Sequence, residues 1–415
     1  MKTLLGYADQ ISVTEGDEIA FRVSSETAEA YDATIVRIIN GDLNPAGSGY
    51  REEEVPGTAW RVQGRTQKVH PGSCIMVDAA VPLEKLAAGW SLSVLARPTL
   101  PESSGADGAG QVMFSLRDPV SGGGIEIGIR GEDGAYAMVQ AAQGCVVCAA
   151  GVPMRRHEWY RVRVTLDPAR NELTLTQGAL ESCAGIADSA AITVACGIKP
   201  AWTPAARIII AARATAGGDR VFSGFYNGKL EAPCLSDHAG AVIGQWDFAI
   251  GIDGQDICDH GPFRLHGRTW QMPARAMTGH NWNGTVRSWQ DAPEQYGAIH
   301  FHEDDLVDAC WDSDFAWRVP PGLKSGLYAA RLRSATDEDH IPFVIRRAPG
   351  TRRWSSSCQP QATWPMPMST LPSMPPWRSG YMTMCLYSAH RTCSWPNGVN
   401  SAPRCMTGTA TGRAS

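Results

Sequence analysis

The last 65 residues of the sequence, Thr351–Ser415, contain no aspartate, no glutamate and no lysine. All 42 acidic residues of the 415-residue chain lie before them, with 31 of its 37 basic ones. Other absences narrow the reading further. No window approaches the ~18 uninterrupted apolar residues of a membrane-spanning helix, so none is expected. Met1–Val13 passes from one lysine and a short apolar run straight into polar residues. It lacks the apolar core of an export signal, and a cytoplasmic location is expected. A formal net charge of −5 provides no basic excess for nucleic acid or for an anionic membrane surface, and neither is an expected partner. The twelve cysteines are scattered rather than spaced as a disulfide framework, which predicts reduced thiols. Cys145 and Cys148 form a lone CxxC with no second pair or His pair at zinc spacing, so they are read as core filling.

What is present reads as β-structure. Gln10–Ser24 alternates apolar and polar residues around Glu15-Gly16-Asp17, the pattern of a β-hairpin, and Tyr31–Ile39 follows as a third strand. Leu43–Val55 is rich in glycine and glutamate and is read as a loop, with Glu52-Glu53-Glu54 in solvent. Residues 1–87 are therefore predicted to be a small antiparallel β-domain. A second series runs through 88–237. His157–Leu166 alternates cleanly, Asp167–Asn171 turns, and Glu172–Gln177 returns. Two packed antiparallel sheets are predicted over 90–235, with Trp159 and Phe225 buried between them. The HEWYRVRV hairpin and the late FSGFYNGKLEAP resemble a laminin-G or concanavalin-like jelly-roll, a fold that hosts sugar-binding, calcium-binding and purely architectural roles. Residues 238–350 are read as a β-rich connector.

Within that connector, Leu265–Asp305 is dense in residues that a sandwich core does not need. It holds His266, His280, His300, His302, three tryptophans and the acidic run Glu303-Asp304-Asp305. A strand through His300-Phe301-His302 puts both imidazoles on one face. That pair and the following carboxylates could serve a divalent cation, but spacing fixes no third neutral ligand. The pair is read as ending a strand at the surface, with Glu303–Asp305 capping the next turn. His280-Asn281-Trp282 is read as a loop packed on a neighbouring domain.

MPARAMTGHNW and YGAIHFHEDDL, both in this stretch, resemble the large subunit of the N,N-dimethylformamidase family. The resemblance covers the chain from near its start to about Pro349. It implies an intact protein considerably longer than this one, an α/β catalytic domain beyond the connector, a small partner subunit and a homo-oligomer. It also implies hydrolysis of small formamides at an iron held by two tyrosines and a glutamate. Such an iron acts as a Lewis acid on the amide carbonyl and on a bound water.

The acid-free tail carries six Arg, eight Pro, six Met, four Trp and four Cys. Disordered tails are rich in Glu, Lys, Ser and Pro and poor in Trp and Cys, which fits badly. A frameshift fits better. Codons built from the last base of one and the first two of the next permit VVVLVPTASYMAYANEH across Arg353–Thr370 and LYDRHRDGAS across Arg404–Ser415. Both strings resemble motifs of the family's catalytic domain. Their tyrosines fall across Ala362 and Thr363, across Pro365 and Met366, and across Cys405 and Met406, while the glutamate would lie beyond Ser415. No residue of the chain as written matches a catalytic, cofactor-binding or metal position. The fold expectation is thus mainly β: a small β-domain, a jelly-roll sandwich, a β-rich connector and a disordered tail without a packed core. The function expectation is the non-catalytic front of a formamidase-like large subunit. The rival from another class is a stand-alone carbohydrate-binding or adhesion module, which calls for an export signal and a calcium or aromatic platform. A third reading, a metalloenzyme built on His300 and His302, needs a ligand from far away in sequence.

Overall fold

The computed structural model describes residues 2–346, apart from 45, 78, 104, 106–107, 182–184 and 216–220. The frameshifted tail of the sequence reading lies outside the described residues. Nearly all regular structure among them is strand, with three short 3-10 turns, so the chain is mainly β. It divides into two compact units that do not follow chain order: residues 1–65 join those from 313 onward, and 66–312 form the second. The segments 1–87 and 238–350 therefore each contribute to both units.

In the first unit, Leu4–Ala8, Glu18–Ser25 and Phe315–Arg318 make a three-stranded sheet. A second sheet orders Ser12–Thr14, Glu338–Arg346, Gly326–Arg333, Tyr31–Gly41 and Tyr50–Glu54, with Trp60–Val62 also paired to Tyr31–Gly41. Alternation in Glu18–Ser25 sends Ile19, Phe21 and Val23 inward. Phe21 stacks on Phe315 at 4.9 Å and meets Phe343 edge-on at 5.7 Å, a core built from sequence-distant strands. Two sequence expectations are corrected here. Ser12–Thr14 does not form a hairpin with Glu18–Ser25 but runs parallel to Glu338–Arg346. The Asp17 carboxylate accepts the backbone N–H (2.7 Å) and hydroxyl (2.8 Å) of Thr14, and Gly16 sits at φ +88°, so the turn carries the chain from one sheet to the other. The segment read as a loop contains the strand Tyr50–Glu54. Its Glu52 is held by Arg331, His340 and Tyr50 rather than by solvent.

The second unit is a continuous ladder folded into two facing layers. One layer comprises Gly144–Ala149, Ala135–Ala141, Gly124–Ile129, Gln111–Arg117, Arg207–Ile210, Cys74–Val77, Gly267–Trp270 and Asp256–Asp259. The other comprises Val242–Asp247, Gly228–Asp237, Trp90–Pro98, Tyr160–Asp167, Glu172–Ala179 and Ala190–Ala195, with Ala298–Phe301 and Ala274–Met277 added beside Gly228–Asp237. One apolar core fills the space between, including Leu92, Phe114, Ile127, Tyr160, Val164, Leu175, Tyr226 and Trp246. The two packed sheets are as expected, but the aromatics between them are not Trp159 and Phe225. Their chain neighbours Tyr160 and Tyr226 are fully buried, while Trp159 and Phe225 are half-buried on other faces. Cys148 is buried but Cys145 is exposed, correcting the pairing of both as core. A spacing of three on a strand sends the side chains to opposite faces, which also removes the pair as a chelate.

Candidate functional site

The histidine-rich stretch of the sequence folds against one strand of the second unit, Gly228–Asp237. Lys229 pairs across the ladder with His300 on one side and Arg97 on the other, and Glu231 with Ala298 and Leu95. Period two places Lys229 and Glu231 on the same outer face, yet both are nearly covered. What covers them is the loop they hold. Lys229 Nζ donates to the Thr278 carbonyl (3.0 Å) and hydroxyl (2.7 Å). Glu231 accepts the His280 backbone N–H at 2.8 Å and faces its Nδ1 at 2.9 Å. A Cβ at Gly279 would lie 3.0 Å from both Glu231 oxygens, so the loop approaches closely because that position is glycine. Burial, then the Arg97 charge, pulls the Lys229 ammonium down to about 8. The His280 ring in turn meets Trp159 edge-on at 6.4 Å.

His300 and His302 share a face as the alternation predicted, with ring centroids 4.0 Å apart. Their surroundings differ. Burial first, then His302 and Lys229, hold His300 down at about 4. His302 is raised by its hydrogen bond to Asp305. Asp305 also accepts the Ser73 hydroxyl at 2.6 Å, and Gly72 N–H donates to its carbonyl at 2.8 Å. The acidic run therefore closes a turn onto Gly72 and Ser73. Among the described residues no three His, Cys, Asp or Glu side chains are grouped to hold a metal ion. A dication at His300 would also face Lys229 and Arg97, whose charges already act on that imidazole.

The pH dependence of stability tests this arrangement. His300 has a folded value of about 4 against 6.5 when free. Between those values the unfolded chain binds a proton that the folded chain does not, so His300 lowers stability as pH falls through this window. His302, raised, acts oppositely: its stabilisation is present below 6.5 and lost as pH rises through its folded value. His300→Gln, at a half-buried position, should cost about 1 kcal/mol at pH 7. At pH 5 the variant should be more stable than the parent in urea unfolding. Identical pH slopes for the two proteins would refute the environment assigned to His300.

Outside this cluster, two tyrosine–glutamate contacts stand out. In the first unit Tyr50 donates to Glu52 at 2.7 Å, beside Arg331 and His340. In the second, Tyr136 donates to buried Glu126 at 2.6 Å, with Arg117 and Arg213 within 3.8 Å of the carboxylate. Neither was foreseen: both tyrosines are local to their glutamates, but Arg331, His340 and Arg213, which complete the clusters, come from strands distant in sequence. Fold and polar clusters together define a β-sandwich protein whose buried charges pin loops and strands.

Comparison with known proteins places it more narrowly. A family model described as "N,N-dimethylformamidase beta subunit-like, C-terminal" matches residues 274–366. The N,N-dimethylformamidase beta subunit of Alcaligenes sp is 31% identical over 386 aligned residues, covering 83% of this chain and 49% of that protein. The beta subunit of Paracoccus aminophilus is 31% identical over 387, with the same coverage. The chain belongs to the N,N-dimethylformamidase beta-subunit family, and it spans about half the length of the curated relatives it matches. Among solved structures, the LG1-3 region of the laminin alpha2 chain is similar at TM-score 0.30 and 13% identity, over 39% of this chain and 30% of that one. A heptameric SAP-like pentraxin from Limulus polyphemus is similar at TM-score 0.26 and 10% identity, over 49% and 75%. Among the described residues no helix is long and apolar enough to cross a membrane.

Proposed function

We propose that this chain is the non-catalytic front portion of an N,N-dimethylformamidase-type large subunit, whose intact form hydrolyses small formamides to formate and an amine. The observation that carries the reading is the 31% identity to two proteins of that name across 83% of this chain. The unmatched share, about one sixth, is close in size to the acid-free tail. The family model matches residues 274–366 and so ends inside the acid-free tail, about 15 residues past Thr351. The relatives' name, beta subunit, supports a partner subunit for the intact protein.

The iron of the sequence expectation does not fit the described residues. Tyr50 with Glu52 and Tyr136 with Glu126 are the tyrosine–glutamate contacts described above. Each carries a single tyrosine, and arginines occupy the carboxylate. A guanidinium at the ligand oxygens opposes a metal cation. No catalytic step is therefore assigned to this chain. Assayed as written, with ferrous or ferric iron supplied, it should release no formate from N,N-dimethylformamide and retain no stoichiometric iron after gel filtration. Formate release dependent on a residue before 347 would overturn the reading.

A further inference from the structure

We propose that the outer face of the sheet at Arg161 and Arg163 is an anion-binding site, whose ligand is an extended polypeptide segment bearing carboxylates at alternate positions. In Tyr160–Asp167 the residues Tyr160, Val162 and Val164 point into the core, and Arg161 and Arg163 stand exposed on the opposite face. Their ladder neighbours are small or neutral. Arg161 lies between Leu95 and Gly178, Arg163 between Ser93 and Thr176, and Thr176 faces Ala191 on the next strand. With so little side chain around the two arginines, a cleft of about 690 Å³ opens along them, bounded by Thr176, Gly178, Ser189 and Ala190.

The polar groups near the cleft are committed elsewhere, except for the two guanidiniums. Asp188 is bound to Arg155 at 2.9 Å. The Ser189 hydroxyl accepts the Ala179 N–H at 3.1 Å, and that of Thr176 donates to the Arg163 carbonyl at 3.3 Å. Arg161 and Arg163 have no carboxylate partner among the described residues. The same outer face continues through the ladder to Arg97; of its carboxylates, Glu231 is engaged by His280 and Asp167 by Arg170, and Glu172 stands beside Asp167 at the far end of the hairpin. The basic pair thus stands on a chain of net charge −5, so it attracts an anion through its local field and against that of the whole chain.

Shape and spacing select among anions. The cleft is shallow and open to solvent, so it suits an extended segment laid along the sheet rather than an enclosed ligand. Arg161 and Arg163 lie two residues apart on a strand, roughly 7 Å, the repeat of same-side residues in an extended peptide. The chain's own tail, with six arginines and no acid, is excluded as occupant by charge. The curated relatives are about twice as long as this chain, so polypeptide able to supply the segment exists in the intact family protein.

The test is fluorescence anisotropy of a labelled peptide of alternating serine and glutamate, titrated with the full chain at low ionic strength. Saturable binding is expected, weakening as salt is raised. It should fall about tenfold in the Arg161→Gln/Arg163→Gln double variant, as the loss of two exposed charge contacts allows. Arg207→Gln, which removes an exposed arginine of the facing sheet, should leave it unchanged. Circular dichroism and Tm of the double variant should match the parent, since both side chains are exposed. Equal binding by parent and double variant overturns the site. Binding of inorganic phosphate at the pair, without binding of the peptide, overturns the polypeptide ligand.

Discussion

A gene with one base removed or added near the codon of Thr351 is expected to yield a chain that keeps iron through purification and releases formate from N,N-dimethylformamide, where the parent does neither. The argument is chemical as well as textual. Amide hydrolysis at neutral pH needs an electrophile on the carbonyl and an activated water, and a bound metal ion supplies both. Among the described residues no three His, Cys, Asp or Glu side chains are grouped to hold a metal ion, and the two tyrosine–glutamate contacts each carry one tyrosine and an arginine. The proposed frame permits tyrosines in PTASYMAYANEH and LYDRHRDG, with the remaining ligand expected further on. The change should be all-or-none, from background to turnover, because a missing metal site removes the reaction path rather than tuning it. A frame-restored chain that folds and binds iron yet forms no formate would break the link between the tail and the activity.

Trp246→Ala should be the most damaging single substitution in the second unit. The indole is fully buried and lies 5.8 Å from Phe114, which belongs to the facing layer, so its removal opens a void between the sheets. Its ring also lies over Gly244, where a Cβ would meet it at 2.8 Å. Its Nε1 donates to the Leu265 carbonyl at 2.7 Å, which ties the start of the histidine-rich stretch to the core. Loss of a buried large aromatic costs about 3–5 kcal/mol, and the orphaned carbonyl adds to it. Urea unfolding should show a loss of that size, with a fall in Tm on the order of 10 °C. A loss under about 1 kcal/mol would mean that Trp246 does not bridge the layers.

The local β pattern was legible in the sequence because period two is a property of neighbours. The hairpin from Tyr160 to Ala179 appears where alternation placed it. Trp159 and Phe225 each lie one residue from the aromatic that is buried, Tyr160 and Tyr226, and for the first pair the sequence carries the signal that separates them. Val162, Val164 and Leu166 set the inward phase, which selects Tyr160. What sequence could not provide was long-range pairing. Ser12–Thr14 finds Glu338–Arg346 across more than 300 residues, and no local pattern encodes that choice. The clamp of Lys229 and Glu231 on Thr278 and His280 was hidden for the same reason. Each partner lies 49 residues away, and the contact exists only once the Ala298–Phe301 strand has docked. Asp259 is a similar case: its carboxylate takes the N–H groups of Gln245, Gly261 and Leu265 at 2.6–2.7 Å, a role its sequence context does not announce.

The family resemblance was legible from MPARAMTGHNW and YGAIHFHEDDL, and the structure explains why such wording carries. Ala274–Met277 and Ala298–Phe301 pair with each other and dock on Gly228–Asp237. Arg275 spans the carbonyls of Phe248, Ile250, Gly254 and Asp256 at 3.1–3.4 Å. These residues are constrained by several elements at once, so their identities say more about the fold than those of a free loop.

The nucleotide sequence across codons 345–415 tests most directly whether an N,N-dimethylformamidase-type reading frame is broken near Thr351. A single-base shift near codon 351 should open one continuous frame encoding PTASYMAYANEH and LYDRHRDG and running on past codon 415. Stop codons in that frame, or codons that spell neither string, would contradict it.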